Sequence, residues 1–83
     1  MSAMADNARY MIDVALSKNN NTVLYRATKG ERITKYDMWT STNKEWRPDS
    51  SAVDAFYGVN VMSDEISEAE ALVLIEKHTK KNA

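Results

Sequence analysis

The period with which apolar residues recur changes along this chain, and each period predicts a different element. In residues 3–17, the apolar positions at the spacing of one helical face are Met4, Ala8, Met11, Ile12 and Ala15. A second set in the same stretch alternates as a strand would and consists of Tyr10, Ile12, Val14 and Leu16. Helix-forming residues dominate the stretch and β-branched residues are few, which favours the helix. We therefore predict an amphipathic helix followed by a loop in residues 1–20.

Residues 22–48 have the composition of a sheet. TVLYRAT and RITKYDMW are rich in β-branched and aromatic residues, and they flank Gly30, which marks the clearest turn in the chain. In the second segment, alternation places Tyr36 and Met38 on one face and Asp37 and Trp39 on the other. A polar turn then leads to a short third strand, EWRP, whose proline has no amide hydrogen to donate. The prediction is a three-stranded antiparallel meander.

Residues 49–83 predict two helices. The first, DSSAVDAFYG, carries Ser51 and Asp54 at the spacing of a capping pattern and has a glycine at its end. VNVM is a candidate for a further short strand. ISEAEALVLIEKHTKK is the clearest helix, because Ser67 and Glu70 form a capping box and lysines follow at the carboxyl end. Its predicted buried stripe consists of Ala71, Leu72 and Ile75.

The chain of 83 residues makes one domain, near the lower end of the size range that folds alone. Strands in the middle and helices at both ends predict an α+β fold. We expect the three-stranded meander of residues 22–48 to carry all the helices on one face. These are the N-terminal helix of residues 1–20 and the short middle helix and C-terminal helix of residues 49–83.

The absence of cysteine excludes disulfides, thiolate ligands for zinc and redox chemistry at a thiol. It is typical of the reducing cytoplasm, where we expect this protein. The first residues lack the basic and apolar regions of a secretory signal. No apolar run approaches the ~20 residues that span a bilayer, so a soluble protein without membrane contact is predicted.

The net charge of −1 hides an uneven distribution. Residues 22–47 contain six basic and three acidic residues, a net charge of +3, whereas residues 48–83 contain three basic and seven acidic residues, a net charge of −4. Cations and aromatic rings are interleaved from Tyr25 to Trp39, a mixture that can follow a phosphate backbone and stack on bases. The chain as a whole is less basic than nucleic-acid-binding domains usually are. Nucleic-acid binding through this hairpin is therefore the alternative function.

Residues that catalysis or metal binding requires are scarce. His78 is the only histidine, and near a helix end it is expected to complement the helix dipole. Asp64, Glu65 and Glu68 lack the alternating spacing and turn glycine of an EF-hand, so we interpret them as solvated acids at a helix start. The two glycines form neither phosphate-binding motif. We predict that the protein is not an enzyme and that it has no cofactor and no metal site.

The two tryptophans stand seven positions apart, at Trp39 and Trp46. Trp39 ends the longer strand, where neighbours on both sides cover it, so it is expected to be buried. Trp46 lies in a short strand beside Arg47 and Pro48, so it is expected at the sheet edge and more exposed. Tryptophan and arginine dominate the hot spots of protein interfaces, which makes this edge a candidate binding surface.

We therefore predict a non-enzymatic protein-binding or accessory module that acts through its sheet surface. A homodimer is expected, because a core this small gains stability from self-association. Small chains without motifs are typical of the accessory proteins of phages and mobile elements, some of which inhibit a host protein. The predicted partner-binding residues are Trp46, Arg47, Tyr36, Arg26, Arg32 and Lys35.

Overall fold

The structure is a computed structural model that describes residues 8–17, 21–58 and 62–79. Its elements, in chain order, are β1 (Ala8–Asp13), β2 (Val23–Lys29), β3 (Thr34–Thr40), β4 (Trp46–Pro48), α1 (Ser50–Phe56), β5 (Ser63–Ile66) and α2 (Glu68–Thr79). The five strands form one sheet in the order β4-β3-β2-β1-β5. Every neighbouring pair is antiparallel.

The predicted N-terminal helix is wrong over residues 8–13, which form strand β1. Tyr10 pairs with Arg26 of β2 on one side and with Ile66 of β5 on the other. A strand between two partners fills both of its hydrogen-bonding edges and packs side chains on both faces, and this tertiary gain overrides local helix propensity. Residues 1–7 and 18–20, the rest of the predicted helix and loop, lie outside the described residues.

Over the described residues the sheet has five strands rather than the predicted three, so the three-stranded meander is also wrong. Besides β1, the further strand is β5, whose acidic residues the sequence pattern predicts as the start of the last helix. It pairs with β1, from Tyr10 opposite Ile66 to Asp13 opposite Ser63. The candidate strand VNVM falls largely on residues 59–61, outside the described part, and Met62 lies in a turn. The fold class nevertheless remains α+β.

The turn between β2 and β3 forms where Gly30 predicted it. The Gly30 amide donates to the carbonyl oxygen of Ile33 over 2.9 Å. A Cβ at position 30 would lie 2.8 Å from that oxygen, so this close approach of backbone requires glycine. The third predicted strand is also present as β4, with Trp46 directly opposite Trp39.

The two described helices pack on opposite faces of the sheet, which corrects the prediction of a single helical face. The α2 face of the sheet is built around a buried cluster of Tyr10, Leu24, Trp39 and Ala71. The α1 face is built around a buried cluster of Val23, Tyr25, Ala52 and Ala55. The sheet requires cover on both sides because β2 buries consecutive residues, which alternation directs to opposite faces.

The start of α1 is capped by Asp49 rather than by Ser51. The Asp49 carboxylate accepts a hydrogen bond of 2.7 Å from the Ser51 amide. Asp49 is therefore the N-cap residue, and Ser51 contributes only its backbone N–H group. At the start of α2, the predicted capping box is confirmed. The Ser67 hydroxyl accepts from the Glu70 amide, and the Glu70 carboxylate accepts from the Ser67 amide, each over 3.1 Å.

The predicted buried stripe of α2 is wrong at Leu72. Ala71 is fully buried and Ile75 is half-buried, but Leu72 is 56% exposed. The helix packs on β1 through the side that carries Ala71 and Ile75, and Leu72 is turned about 100° away from Ala71.

No helix among residues 8–17, 21–58 and 62–79 has the length and apolar character that crossing a membrane requires.

Candidate partner-binding cleft

Part of the α2 face is left open as a cleft. Helix α2 begins at Glu68 and packs over β1 and β5, whereas the ends of β2 and β3 nearest their hairpin remain uncovered. The side chains of β2 and β3 on this face change from apolar to polar towards the hairpin, from Leu24 to Arg26 and from Trp39 to Asp37. The cleft has a volume of about 680 Å³. Residues that line it include Tyr10, Arg26, Lys35, Asp37, Pro48 and Glu68.

Arg26 is held in a fixed position at the cleft. Its Nη2 atom donates to a carboxylate oxygen of Asp37 over 3.2 Å, and 27% of the Arg26 side chain and 14% of the Asp37 side chain are exposed. The guanidinium carbon lies 4.3 Å from the centroid of a Trp46 ring, which is close enough for a cation–π interaction. Trp46 in turn contacts Tyr10 edge-on, at 6.0 Å between ring centroids. The arginine is therefore preorganised by a carboxylate and an aromatic face.

One polar atom of this arginine is unsatisfied. Arg26 Nε is buried and has no hydrogen-bond partner among the described residues. A buried N–H group without an acceptor costs free energy, and native structures contain few of them.

The formal charges along the cleft cancel. Arg26 is paired with Asp37, whereas Lys35 and Glu68 have no ion-pair partner among the described residues. A bound molecule would therefore meet one exposed cation and one acidic group across a floor that contains Tyr10 and Pro48. A mixed surface of this kind suits a protein segment better than a uniformly charged polymer.

The structure brings three of the six predicted partner-binding residues together. Arg26 and Lys35 line the cleft, and Trp46 supports Arg26 from behind. Trp46 is half-buried and Trp39 is 2% exposed, which confirms the predicted order of exposure. The burial of Trp39 follows from its position on β3 between β2 and β4.

The other three predicted residues make their described side-chain contacts outside the cleft. Arg47 is exposed on β4, where its Nε donates to Glu45 over 2.6 Å. Arg32 is exposed in the hairpin between β2 and β3. Tyr36 borders the cleft, but its ring packs on the α1 face, 6.1 Å from the ring centroids of both Phe56 and Tyr57. A hydrogen bond with Tyr57 raises the pKa of Tyr36.

A second cationic and aromatic group lies on the α1 face. Arg9 donates to both carboxylate oxygens of Glu65, over 2.9 and 2.8 Å, and its guanidinium carbon lies 5.5 Å from the Phe56 ring centroid. This bidentate hydrogen bond lowers the pKa of the Glu65 carboxyl. Both side chains are more than half exposed, so the pair contributes little to the free energy of unfolding.

Sequence reasoning missed several residues that line the cleft, among them Tyr10, Asp37 and Glu68. Tyr10 was assigned to a helix, and its alternation with Ile12 was the signal that pointed to a strand. Asp37 was placed on the correct face, but nothing local indicated its pairing with Arg26. Glu68 reaches the cleft only because α2 crosses the sheet, which no local pattern reveals.

Two of the three aromatic residues of the basic hairpin are buried, and Tyr36 is half-buried. Tyr25 is 1% exposed and Trp39 is 2% exposed, and they belong to the clusters on opposite faces. The Tyr25 hydroxyl donates to Asp13 over 2.6 Å within the core. Burial, together with this hydrogen bond to Asp13, raises the pKa of Tyr25 well above its usual value.

Within the described ranges, no three His, Cys, Asp or Glu side chains are grouped so that they could hold a metal ion. Comparisons of the chain with protein-family models, curated proteins and solved structures found no match.

Proposed function

We propose that this protein is a non-enzymatic protein-binding module whose cleft on the α2 face binds a carboxylate-bearing segment of another protein. The observation that carries the proposal is the preorganised Arg26, held by Asp37 and Trp46 inside an open cleft of about 680 Å³. A side chain that is already fixed loses little conformational entropy when a partner binds, which favours affinity.

The groups that line the cleft have different roles in binding. Lys35 is the exposed cation, so it attracts the carboxylate during the approach. Tyr10 and Pro48 offer apolar contact, and Arg26 orients the acceptor. The volume fits a few side chains of an extended segment rather than a folded surface.

A protein partner is favoured over nucleic acid for two reasons. The two basic and two acidic groups of the cleft give no net positive charge with which to hold a phosphate backbone. Of the three aromatic residues that the nucleic-acid alternative uses as stacking surfaces, Tyr25 and Trp39 are buried and Tyr36 is half-buried. We propose that the module is a cytoplasmic accessory protein, which inhibits its target protein by occupying part of that protein's surface.

A phage-displayed library of random peptides, panned on the immobilised protein, tests the proposal. We expect the selected peptides to carry Asp or Glu beside an apolar residue, and Lys35→Glu to weaken their binding at least about tenfold. Lys29→Glu is the matched control, because it makes the same charge change at an exposed lysine that does not line the cleft. Equal peptide binding by both variants would exclude the cleft. Tight, salt-dependent binding of oligothymidylate of roughly 20 nucleotides would favour the nucleic-acid alternative instead.

A further inference from the structure

The outward side of α2 carries an apolar surface that nothing in the described structure covers. Leu72 is 56% exposed and Val73 is 63% exposed. Ala69 and Glu76 lie beside them at helical spacing and are also exposed. We call these four residues the outer stripe of α2. Helix surfaces in contact with water are usually polar, so adjacent exposed Leu and Val indicate a contact surface.

The outer stripe has the relief of a helix-packing surface. Val73 forms a ridge between two apolar grooves with volumes of about 500 and 410 Å³. The first groove is bounded by β1 and β5 residues such as Ile12 and Ile66, and the second by Leu72 and Ile75. A ridge flanked by grooves is the shape into which another helix packs.

The charges along α2 are self-complementary. The first turn carries Glu68 and Glu70, and the last turn carries Lys77 and His78. Glu70 and Lys77 are seven residues apart, so they lie on the same edge of the outer stripe. Lys77 has no ion-pair partner among the described residues, and Glu70 uses one oxygen for the Ser67 cap, which leaves its second oxygen available.

We propose that the outer stripe binds a second copy of this chain, with the two α2 helices antiparallel about a two-fold axis. In that arrangement Leu72 of each copy lies against Val73 of the other, and Glu70 of each copy pairs with Lys77 of the other. Glu76 lies opposite the small side chain of Ala69, which leaves room for it. The helix dipoles are also opposed, which is their favourable orientation.

A second copy is the occupant because the relief of the surface and the charges at its two ends are each matched by another part of the same surface. The ridge at Val73 fits a groove beside Leu72, and the acidic end of the helix fits the basic end. An unrelated partner would have to reproduce both the relief and the charge order. This inference does not rest on the cleft, which is lined by other residues.

Two charge-reversed variants test the proposal, with sedimentation velocity over a range of concentrations as the measurement. Lys77→Glu places two acidic pairs in the interface, and Glu70→Lys places two basic pairs there, so each variant should dimerise at least about tenfold more weakly than the wild type. An equimolar mixture restores both opposite-charge pairs, so it should form a heterodimer. Lys29→Glu, with the same charge change away from α2, should dimerise as the wild type does.

A further variant guards against effects on folding, since Glu70→Lys also removes part of the cap. Leu72→Ser should leave the circular dichroism melting curve of the monomer unchanged and weaken the dimer at least about tenfold. The proposal is overturned if the wild type is monomeric up to about 1 mM. It is also overturned if the dimer persists in both Lys77→Glu and Leu72→Ser, or if two folded charge-reversed variants fail to form a heterodimer. If Trp46→Ala were the only variant to dissociate the dimer, the contact between the two copies would lie at the cleft and not at the outer stripe.

Discussion

At the scale of single residues, Trp46 links the core to the cleft. One side of its ring contacts Tyr10, which belongs to the buried cluster of the α2 face, and Arg26 lies over a ring face at 4.3 Å. A half-buried aromatic side chain contributes apolar contact to the fold and a surface for a cation at the same time. Trp39, directly opposite on β3, contributes only to the core.

This division predicts different costs for the two tryptophans. Trp39→Ala should lower the free energy of unfolding by about 3–5 kcal/mol, because the ring is 2% exposed. Trp46→Ala should cost about half as much, because the ring is only half-buried. Urea unfolding measures both values. Acrylamide should quench the fluorescence of Trp39→Phe, which retains Trp46, more than that of Trp46→Phe. The reverse order in either measurement would contradict these positions.

At the scale of elements, α2 uses its two sides for different purposes. The inner side places Ala71 against the sheet with no exposed surface, because a larger side chain there would hold the helix away from β1. His78, in the last turn, shares a hydrogen bond of 2.7 Å with Thr22 and packs on Trp39, so it fixes the far end of the helix. The outer side exposes Leu72 and Val73.

Substitutions on the two sides of α2 should therefore differ in their effect on stability. Ile75→Ala should lower the free energy of unfolding by about 1–3 kcal/mol, since Ile75 packs against the core cluster. Leu72→Ala should change it by no more than about 0.5 kcal/mol, because Leu72 is 56% exposed. Thermal and urea unfolding at low protein concentration, where monomer prevails, measure the difference. A large loss in Leu72→Ala would mean that Leu72 belongs to the core.

At the scale of the whole molecule, the sheet is a central layer with one of the two described helices on each side. Strands β4 and β5 lie at opposite edges of the sheet. Helix α1 lies between these two strands in the chain and packs on one face, and α2, which follows β5, packs on the other face. Both edge strands are short, and β4 ends in Pro48, which limits the addition of further strands. Interaction through the helical faces is thus better supported than interaction through the edges.

The buried hydroxyl of Tyr25 makes the stability of the whole molecule sensitive to alkaline pH. Because the folded state raises the pKa of Tyr25 through burial and the hydrogen bond to Asp13, its contribution is fully present below its unfolded pKa of about 10. That contribution is lost as the pH rises from there towards the folded pKa. Tyr25→Phe should therefore show a shallower alkaline loss of unfolding free energy than the wild type, although Tyr36, whose pKa is also raised, still contributes.

Urea unfolding at a series of pH values between about 9 and 11.5 measures this slope. Tyr25→Phe also removes the donor to Asp13, so it should be less stable at neutral pH by about 1–3 kcal/mol. The comparison therefore uses the change with pH and not the absolute value. Identical slopes in the two proteins would show that Tyr25 ionises in the folded state as freely as in the unfolded state.

Several features of this protein follow from its sequence alone, because neighbouring residues decide them. The β2–β3 hairpin depends on Gly30, whose missing side chain permits the close approach to Ile33. The start of α2 depends on the reciprocal hydrogen bonds of Ser67 and Glu70, three residues apart. The faces of β3 follow from alternation, and the greater exposure of Trp46 follows from its short edge strand.

Only the tertiary structure decided the remaining features, because they depend on residues far apart in the chain. Residues 8–13 are compatible with a helix until β2 and β5 offer hydrogen-bond partners on both sides. Local periodicity identifies an apolar stripe on α2 but not the side on which the sheet lies, so Leu72 was placed wrongly. The cleft combines β1, β2, β3, β4 and the first turn of α2. Its ion pair of Arg26 and Asp37 exists only because the register of β2 and β3 sets these two residues directly opposite each other.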